Sequence, residues 1–174
     1  MATTPDVAVL LGSQSDWEVM KAAVETLAEY GVSYDARVLS AHRTPDELAD
    51  YVQKADQAGT KVFIAAAGMA AHLAGAVAAH TTRPVLGVPL SGSDLSGLDA
   101  LLATVQMPAG VPVGTLAIGK AGAANAAMLA AAILALGDER LSERLGAERR
   151  VMAANVETRS KEANAKLPSL LGRG

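Results

Sequence analysis

Five short aliphatic runs divide this chain, and each is followed by a stretch in which apolar residues recur every three or four positions. Residues 7–11 are unbroken aliphatics ending at Gly12, the pattern of a strand covered on both faces. Over 16–30, Val19, Met20, Ala23, Val24, Leu27 and Ala28 fall on one helical face, and Gly31 supplies a stop. A second strand is predicted over 34–39. Thr44, Pro45, Asp46 and Glu47 read as a capping box with proline at the first helical position, opening a helix that runs to Ala58 and ends at Gly59.

The same alternation continues. Residues 62–66 predict a third strand, 68–71 a small-residue loop and 72–79 a helix. A fourth strand is expected over 85–88, bounded by Pro84 and Pro89, and a short helix over 94–105. A fifth strand spans 113–118, and an Ala-rich helix follows Gly119 to Leu136. Asp138 starts a further helix, with Leu141, Leu145 and Met152 near one face, and the tail frays after Lys166.

Strand–helix alternation repeated five times predicts an α/β fold: a flavodoxin-like, doubly wound, five-stranded parallel sheet in three α/β/α layers, with an extra C-terminal helix. In such sheets ligands bind beyond the carboxyl ends of the strands, at the switch point in strand order. The loops at Gly12, Ser40 and Gly68 all fall there. One domain is expected, with a core over about 6–136 and a terminal helix over about 138–166; since the sheet already has its covering helices, that helix is expected to pack on a neighbouring subunit, the alternative being that it caps its own domain.

Composition narrows the classes. The 174 residues suffice to bury a core, but only 3% are aromatic, so the core must come from closely approaching helices and aliphatic strands. A net charge of -3 without a basic block argues against nucleic acid as a partner. The absence of cysteine excludes disulfides and thiolate chemistry and fits a cytoplasmic location. No basic region precedes an apolar run at the N-terminus, so no secretory leader is expected. The apolar stretch 62–79 approaches spanning length, but Gly68, His72 and Gly75 interrupt it, and no membrane partner is expected.

Candidate chemistry gathers in the predicted strand-to-helix loops. Gly12 to Asp16 offers the Ser13 and Ser15 hydroxyls beside helix-start N–H groups that favour anions, while Asp16 suits the hydroxyls of a ribose; Ser15 or Asp16 could equally just cap the helix. The run lacks both G-x-G-x-x-G and the P-loop lysine. In the second loop, His42 can take and give a proton near neutrality, and Arg43 presents a planar fork to phosphate or carboxylate. His72 either touches ligand or is a satisfied histidine at a helix start. His80 reads as a helix end facing solvent or another subunit. Lys120 reads as a phosphate contact or a plain helix-start lysine, with a Schiff-base role conceivable. The three histidines lack metal-ligand spacing, so no metal is expected.

Taken together, Gly12 to Trp17, Ser40 to Pro45, Ala70 to Leu73, Pro84 to Pro89, Val105 to Pro108 and Pro112 to Asn125 resemble the PurE family, class I, the N5-carboxyaminoimidazole ribonucleotide mutases of purine biosynthesis. The resemblance implies a homo-octamer acting on a small-molecule ribonucleotide without ATP, metal or biotin. It implies transfer of a carboxyl group from N5 to C4, giving 4-carboxy-5-aminoimidazole ribonucleotide. His42 matches the family's catalytic histidine. Ser13, Asp16 and Arg43 match its substrate-binding residues, with Ser15, Ser40, Ala70 and His72 as further contacts. The family often reads Gly-Gly-Ala-Ala-His-Leu-Pro-Gly where this chain has Gly68 to Gly75, so Met69 and Ala74 depart from it. Two rival readings are a direct aminoimidazole ribonucleotide carboxylase of the class II type and a non-catalytic flavodoxin-like module. For a phospho-acceptor receiver, Asp16 alone is poor support.

Overall fold

The structure is a computed structural model that describes residues 4–170, with side chains to Lys166. Its elements run β1 (Val7–Leu11), α1 (Trp17–Glu29), β2 (Tyr34–Val38), α2 (Pro45–Ala58), β3 (Val62–Gly68), α3 (Leu73–Ala78), β4 (Val85–Leu90), α4 (Leu98–Val105), β5 (Gly114–Thr115), α5 (Lys120–Leu134) and α6 (Glu139–Leu170). The chain divides into two compact units, one ending at Leu134 and one from Ala135 onwards.

The first unit is a five-stranded, all-parallel sheet in the order β2-β1-β3-β4-β5, with helices on both faces, as the alternating pattern predicts. Hydrophobicity tracks sheet position. The interior strands β1 and β4 are buried at every residue, whereas β2, the polar run Tyr-Asp-Ala-Arg-Val, lies at an edge and is half open. On one face Ala8, Leu10, Phe63 and Ala65 pack with Leu48 and Val52 of α2 and Leu73, Ala74 and Val77 of α3. By strand alternation, Val7, Val9, Leu11 and Ile64 point to the other side. There α1 and α5 lie against each other and bury Met20, Ala23 and Leu27 of α1 and Ala123, Ala126, Ala127, Ala130 and Ala131 of α5. Alanines on α5 let the helices approach closely, so this core needs few large side chains.

Several boundaries moved for identifiable reasons. Pro89 lies inside β4 rather than ending it. In a parallel strand a residue's N–H and C=O point to the same side, and the Pro89 carbonyl accepts from Gly119 N–H beyond the end of β5. The missing N–H thus faces a side where strand pairing has already stopped. β5 itself keeps only Gly114–Thr115, although Leu116 N–H still bonds Gly87 and prolongs the contact. β3 extends to Gly68, two residues further than predicted. Helix α4 starts at Leu98, not Asp94, because Ser96 and Gly97 both take positive φ, at 52° and 87°. The Thr44 capping box does not form: its hydroxyl accepts Ser40 N–H at 2.9 Å and donates to the Ser40 carbonyl at 3.2 Å. A single 3-10 turn, Gln14–Asp16, precedes α1, which begins at Trp17. Helix α3 is one residue shorter at each end than predicted, and α5 ends at Leu134 rather than Leu136.

The second unit is built on α6, whose first turn is capped by Asp138 through Leu141 N–H to Oδ1 at 3.2 Å. The helix continues to Leu170, past the fraying point expected at Lys166; residues 171–174 lie outside the described residues. From 147 to 166 every side chain is exposed, including Val151, Met152 and Val156. Among the described residues, no helix is long and apolar enough to cross a membrane.

Two consequences can be measured. A Cβ at Gly122, in the first turn of α5, would run into the Ala117 carbonyl. Gly122→Ala is therefore expected to lower stability by at least about 1–3 kcal/mol, read as a drop in the denaturant midpoint at unchanged slope. At the other end of the sheet, Asp56 of α2 accepts from Thr81 Oγ1 at 2.5 Å and Arg83 Nε at 2.8 Å. The Thr81 bond first, then Arg83, holds the Asp56 carboxyl below its usual value of 3.8. A folded-state pKa below the unfolded one adds stability that is complete above the unfolded value and is lost as pH falls through the folded one. Asp56→Asn should thus lower stability near neutrality and flatten its decline with acid; parallel profiles for both proteins would contradict this linkage.

Candidate active site

Because β1 lies between β2 and β3, the chain leaves neighbouring strand ends in diverging directions and a crevice opens above them. A cavity of 560 Å³ occupies it, lined by Gly12, Ser13, Ser15 and Asp16 after β1, by residues 40–43 after β2, and by residues 67–70 of the β3 end and its loop. Ser13, Ser15, Asp16, Ser40, His42, Arg43 and Ala70 therefore share one cavity, drawn from sequence positions up to 57 residues apart (13 to 70).

Each side chain is held by the local fold. Asp16 Oδ2 accepts Ser13 N–H at 2.9 Å, and the Ser15 hydroxyl donates to Ser13 Oγ at 3.1 Å. Burial pushes the Asp16 carboxyl above its ordinary value, against the downward pull of Ser13 N–H, the Ser15 hydroxyl and the Arg43 charge. A carboxylate short of solvent in this way gains from hydroxyl donors supplied by a ligand. Asp16 thus closes the short 3-10 turn through Ser13 N–H, makes no side-chain cap to α1, and faces the cavity. Gly12 is not strained, since a Cβ there would meet Ala67 at an ordinary 3.4 Å. Its carbonyl takes the Arg43 Nη2 bond at 3.2 Å.

Ser40 organises the second loop. Its hydroxyl accepts from Arg43 N–H at 3.2 Å and Arg43 Nε at 3.3 Å, while Thr44 clamps its backbone. Arg43 is thereby aimed across the crevice towards the first loop, with the rest of its guanidinium fork available to an anion. Sequence reasoning gave Thr44 to helix capping and missed this bracing role; only the tertiary turn reveals it.

The third loop brings His72 to His42. His72 Nδ1 lies 2.8 Å from His42 Nε2, and the rings meet edge to face with centroids 4.9 Å apart. His72 is the N-cap of α3 and the hydrogen-bond partner of His42, and it stands just outside the residues that line the cavity. Lys120 opens α5 and is not in the cavity lining, and His80 is exposed just after α3. Leu73 and Gly92, which the sequence reading did not single out, complete the wall. The available signal for Gly92 was its place just after β4, on the edge shared by the other loops. Among the described residues, no three His, Cys, Asp or Glu side chains are grouped to hold a metal ion.

Known proteins resemble this chain in sequence and in fold. An N5-carboxyaminoimidazole ribonucleotide mutase of Brucella melitensis is 58% identical over 88% of this chain and 95% of its own length. A Bacillus subtilis protein of the same name is 54% identical over 83% of this chain and 90% of its own. The crystal structure of Treponema denticola PurE superposes with a TM-score of 0.81 at 25% identity, covering 92% of this chain and 97% of that one. The AIR carboxylase sequence profile matches residues 6–155. With most of its length matched and the site loops in place, the chain belongs to the AIR carboxylase family, the PurE proteins that its loop motifs resembled.

Proposed function

We propose that this chain is an N5-carboxyaminoimidazole ribonucleotide mutase, an isomerase of purine biosynthesis that moves a carboxyl group from N5 to C4 of its substrate. The observation that carries this reading is the His42–His72 pair, at 2.8 Å, beside a cavity that also holds Asp16 and Arg43. The names and identities of the Brucella and Bacillus relatives support the substrate assignment and favour the mutase over direct carboxylation.

The chemistry is an isomerisation with simple bookkeeping. As the N5–carboxyl bond breaks, its electron pair stays on nitrogen, nitrogen takes a proton, and carbon dioxide is released within the cavity. The electron-rich C4 then attacks the carbon of carbon dioxide. C4 finally gives up its hydrogen as a proton, which restores the aromatic ring. One proton is delivered and one recovered, with no change in oxidation state.

The histidine pair suits that exchange. Only one proton can lie between His42 Nε2 and His72 Nδ1. When His42 donates it, neutral His42 keeps a lone pair on Nδ1 and is a base. When His72 donates it, neutral His42 carries its own proton on Nδ1 and is an acid. The shared proton passes from one ring to the other while the exposed His72 gains or loses a proton to solvent at Nε2, so both rings stay neutral and His42 serves both steps. Asp16 takes the ribose hydroxyls, and Arg43 with the Ser13, Ser15 and Ser40 hydroxyls takes the phosphate or carboxylate. Ala70 and its small neighbours form a wall against which carbon dioxide is kept near the ring, where proximity can contribute about 7–11 kcal/mol.

We further propose that the protein works as a homo-oligomer, the octamer implied by the family resemblance. The exposed stretch 147–166 of α6, with Val151, Met152 and Val156 in water, supports the packing of this helix on a neighbouring subunit.

Supplied with N5-carboxyaminoimidazole ribonucleotide and no added bicarbonate, the protein should form the C4-carboxylated product. Equal or faster product formation from aminoimidazole ribonucleotide and bicarbonate would replace the mutase with the direct carboxylase. His42→Asn should bind substrate in calorimetry yet lose about 10²–10⁴-fold in kcat; full turnover would end the acid–base assignment. Arg43→Ala should raise KM about tenfold or more, as expected for loss of a charge-assisted bond of about 1.5–3 kcal/mol. An unchanged KM would show that Arg43 does not hold the anion.

A further inference from the structure

Among the described residues, only Met69 and Ser96 combine a side chain with positive φ, at 55° and 52°. For a long side chain this backbone region is unfavourable. Met69 also leaves 60% of its surface in water. Neither backbone preference nor burial within the chain accounts for a methionine at this position. What it does contribute to is the cavity, whose lining it joins between Gly68 and Ala70.

The loop holds it there. Ala71 N–H donates to the Met69 carbonyl at 2.9 Å and His72 N–H to the Ala70 carbonyl at 2.8 Å, so two tight turns follow one another. The same turns deliver His72 to His42. Ala67, Gly68 and Ala70 on this side of the cavity are small, so Met69 brings the long apolar side chain of the loop. A methionine arm is unbranched, apolar and adaptable, suited to lying over a small opening.

We propose that Met69 is a retention residue, whose thioether arm covers the cavity mouth while the carboxyl fragment is detached from the substrate. This rests on the mutase reading. Detached carbon dioxide is small, uncharged and apolar, so no ion pair can tether it; what keeps it in place is closure and exclusion of water. The left-handed backbone at Met69 is the device that sets the arm over the opening instead of into the core.

The test is isotopic. The full-length protein converts N5-carboxyaminoimidazole ribonucleotide in carbon-13 bicarbonate, with carbonic anhydrase present to equilibrate carbon dioxide, and label in the product is read by mass spectrometry. Wild type should keep the original carboxyl group. Met69→Gly and Met69→Asn should take up severalfold more label at equal conversion, and Met69→Leu should stay near wild type. Both open variants should unfold at no lower denaturant than wild type, because glycine and asparagine accept positive φ readily. Label uptake equal to wild type in the open variants, or leakage from Met69→Leu to match theirs, overturns the retention role. A lower unfolding midpoint in both open variants overturns the claim that the residue serves the cavity and not the fold. Failure of wild type to convert the substrate overturns the mutase reading and this inference with it, whereas normal conversion without excess label overturns the inference alone.

Discussion

Strand β1 is paired on both sides, to β2 from Val7↔Tyr34 and to β3 from Val7↔Val62, and the site depends on that placement. Both pairings are parallel, so the carboxyl ends of three strands stand side by side. Their following segments must part there, because α1 covers one face while α2 and α3 cover the other. The gap left between diverging connections is the cavity. Gly12 sits unstrained at its floor, whereas Met69 on the third loop takes a positive φ of 55°.

The walls of that gap divide the labour. The first two loops are polar and cross-braced: Arg43 reaches the Gly12 carbonyl, Ser40 anchors Arg43, and Thr44 anchors Ser40. Such bracing fixes charged groups before a ligand arrives, so less ordering remains to be done on binding. Apart from Met69 and His72, the third loop carries only small apolar side chains. The His72 imidazole crosses to His42, so the hydrogen-bonded histidine pair bridges the polar and apolar sides. Burial at Asp16 belongs to the same polar wall and raises its carboxyl above the ordinary value.

Much of this was legible before any coordinates. Continuous aliphatic runs marked the interior strands because both of their faces are covered. Gly31 and Gly59 marked helix ends because both sit at positive φ, 70° and 107°. The site loops were legible through position: connections leaving the carboxyl ends of parallel strands gather on one edge of the sheet. The misreadings share a cause. Pro89 looked like a terminator and Thr44 like a cap, because propensity describes a residue against its own backbone. Pro89 is tolerated through what its neighbour strand lacks, and Thr44 is recruited by a turn four residues upstream.

The amino-acid sequence alone determined the strand–helix order, the parallel sheet and the short list of groups able to do chemistry. These follow from periodicity and side-chain type, which act locally and survive without knowledge of packing. Tertiary structure alone decided the pairing of His42 with His72, the aim of Arg43 at Gly12 and the place of Met69 in the cavity lining. Those relations join segments 30 residues or more apart or depend on which way a loop turns, and no local pattern encodes a distance between strand ends.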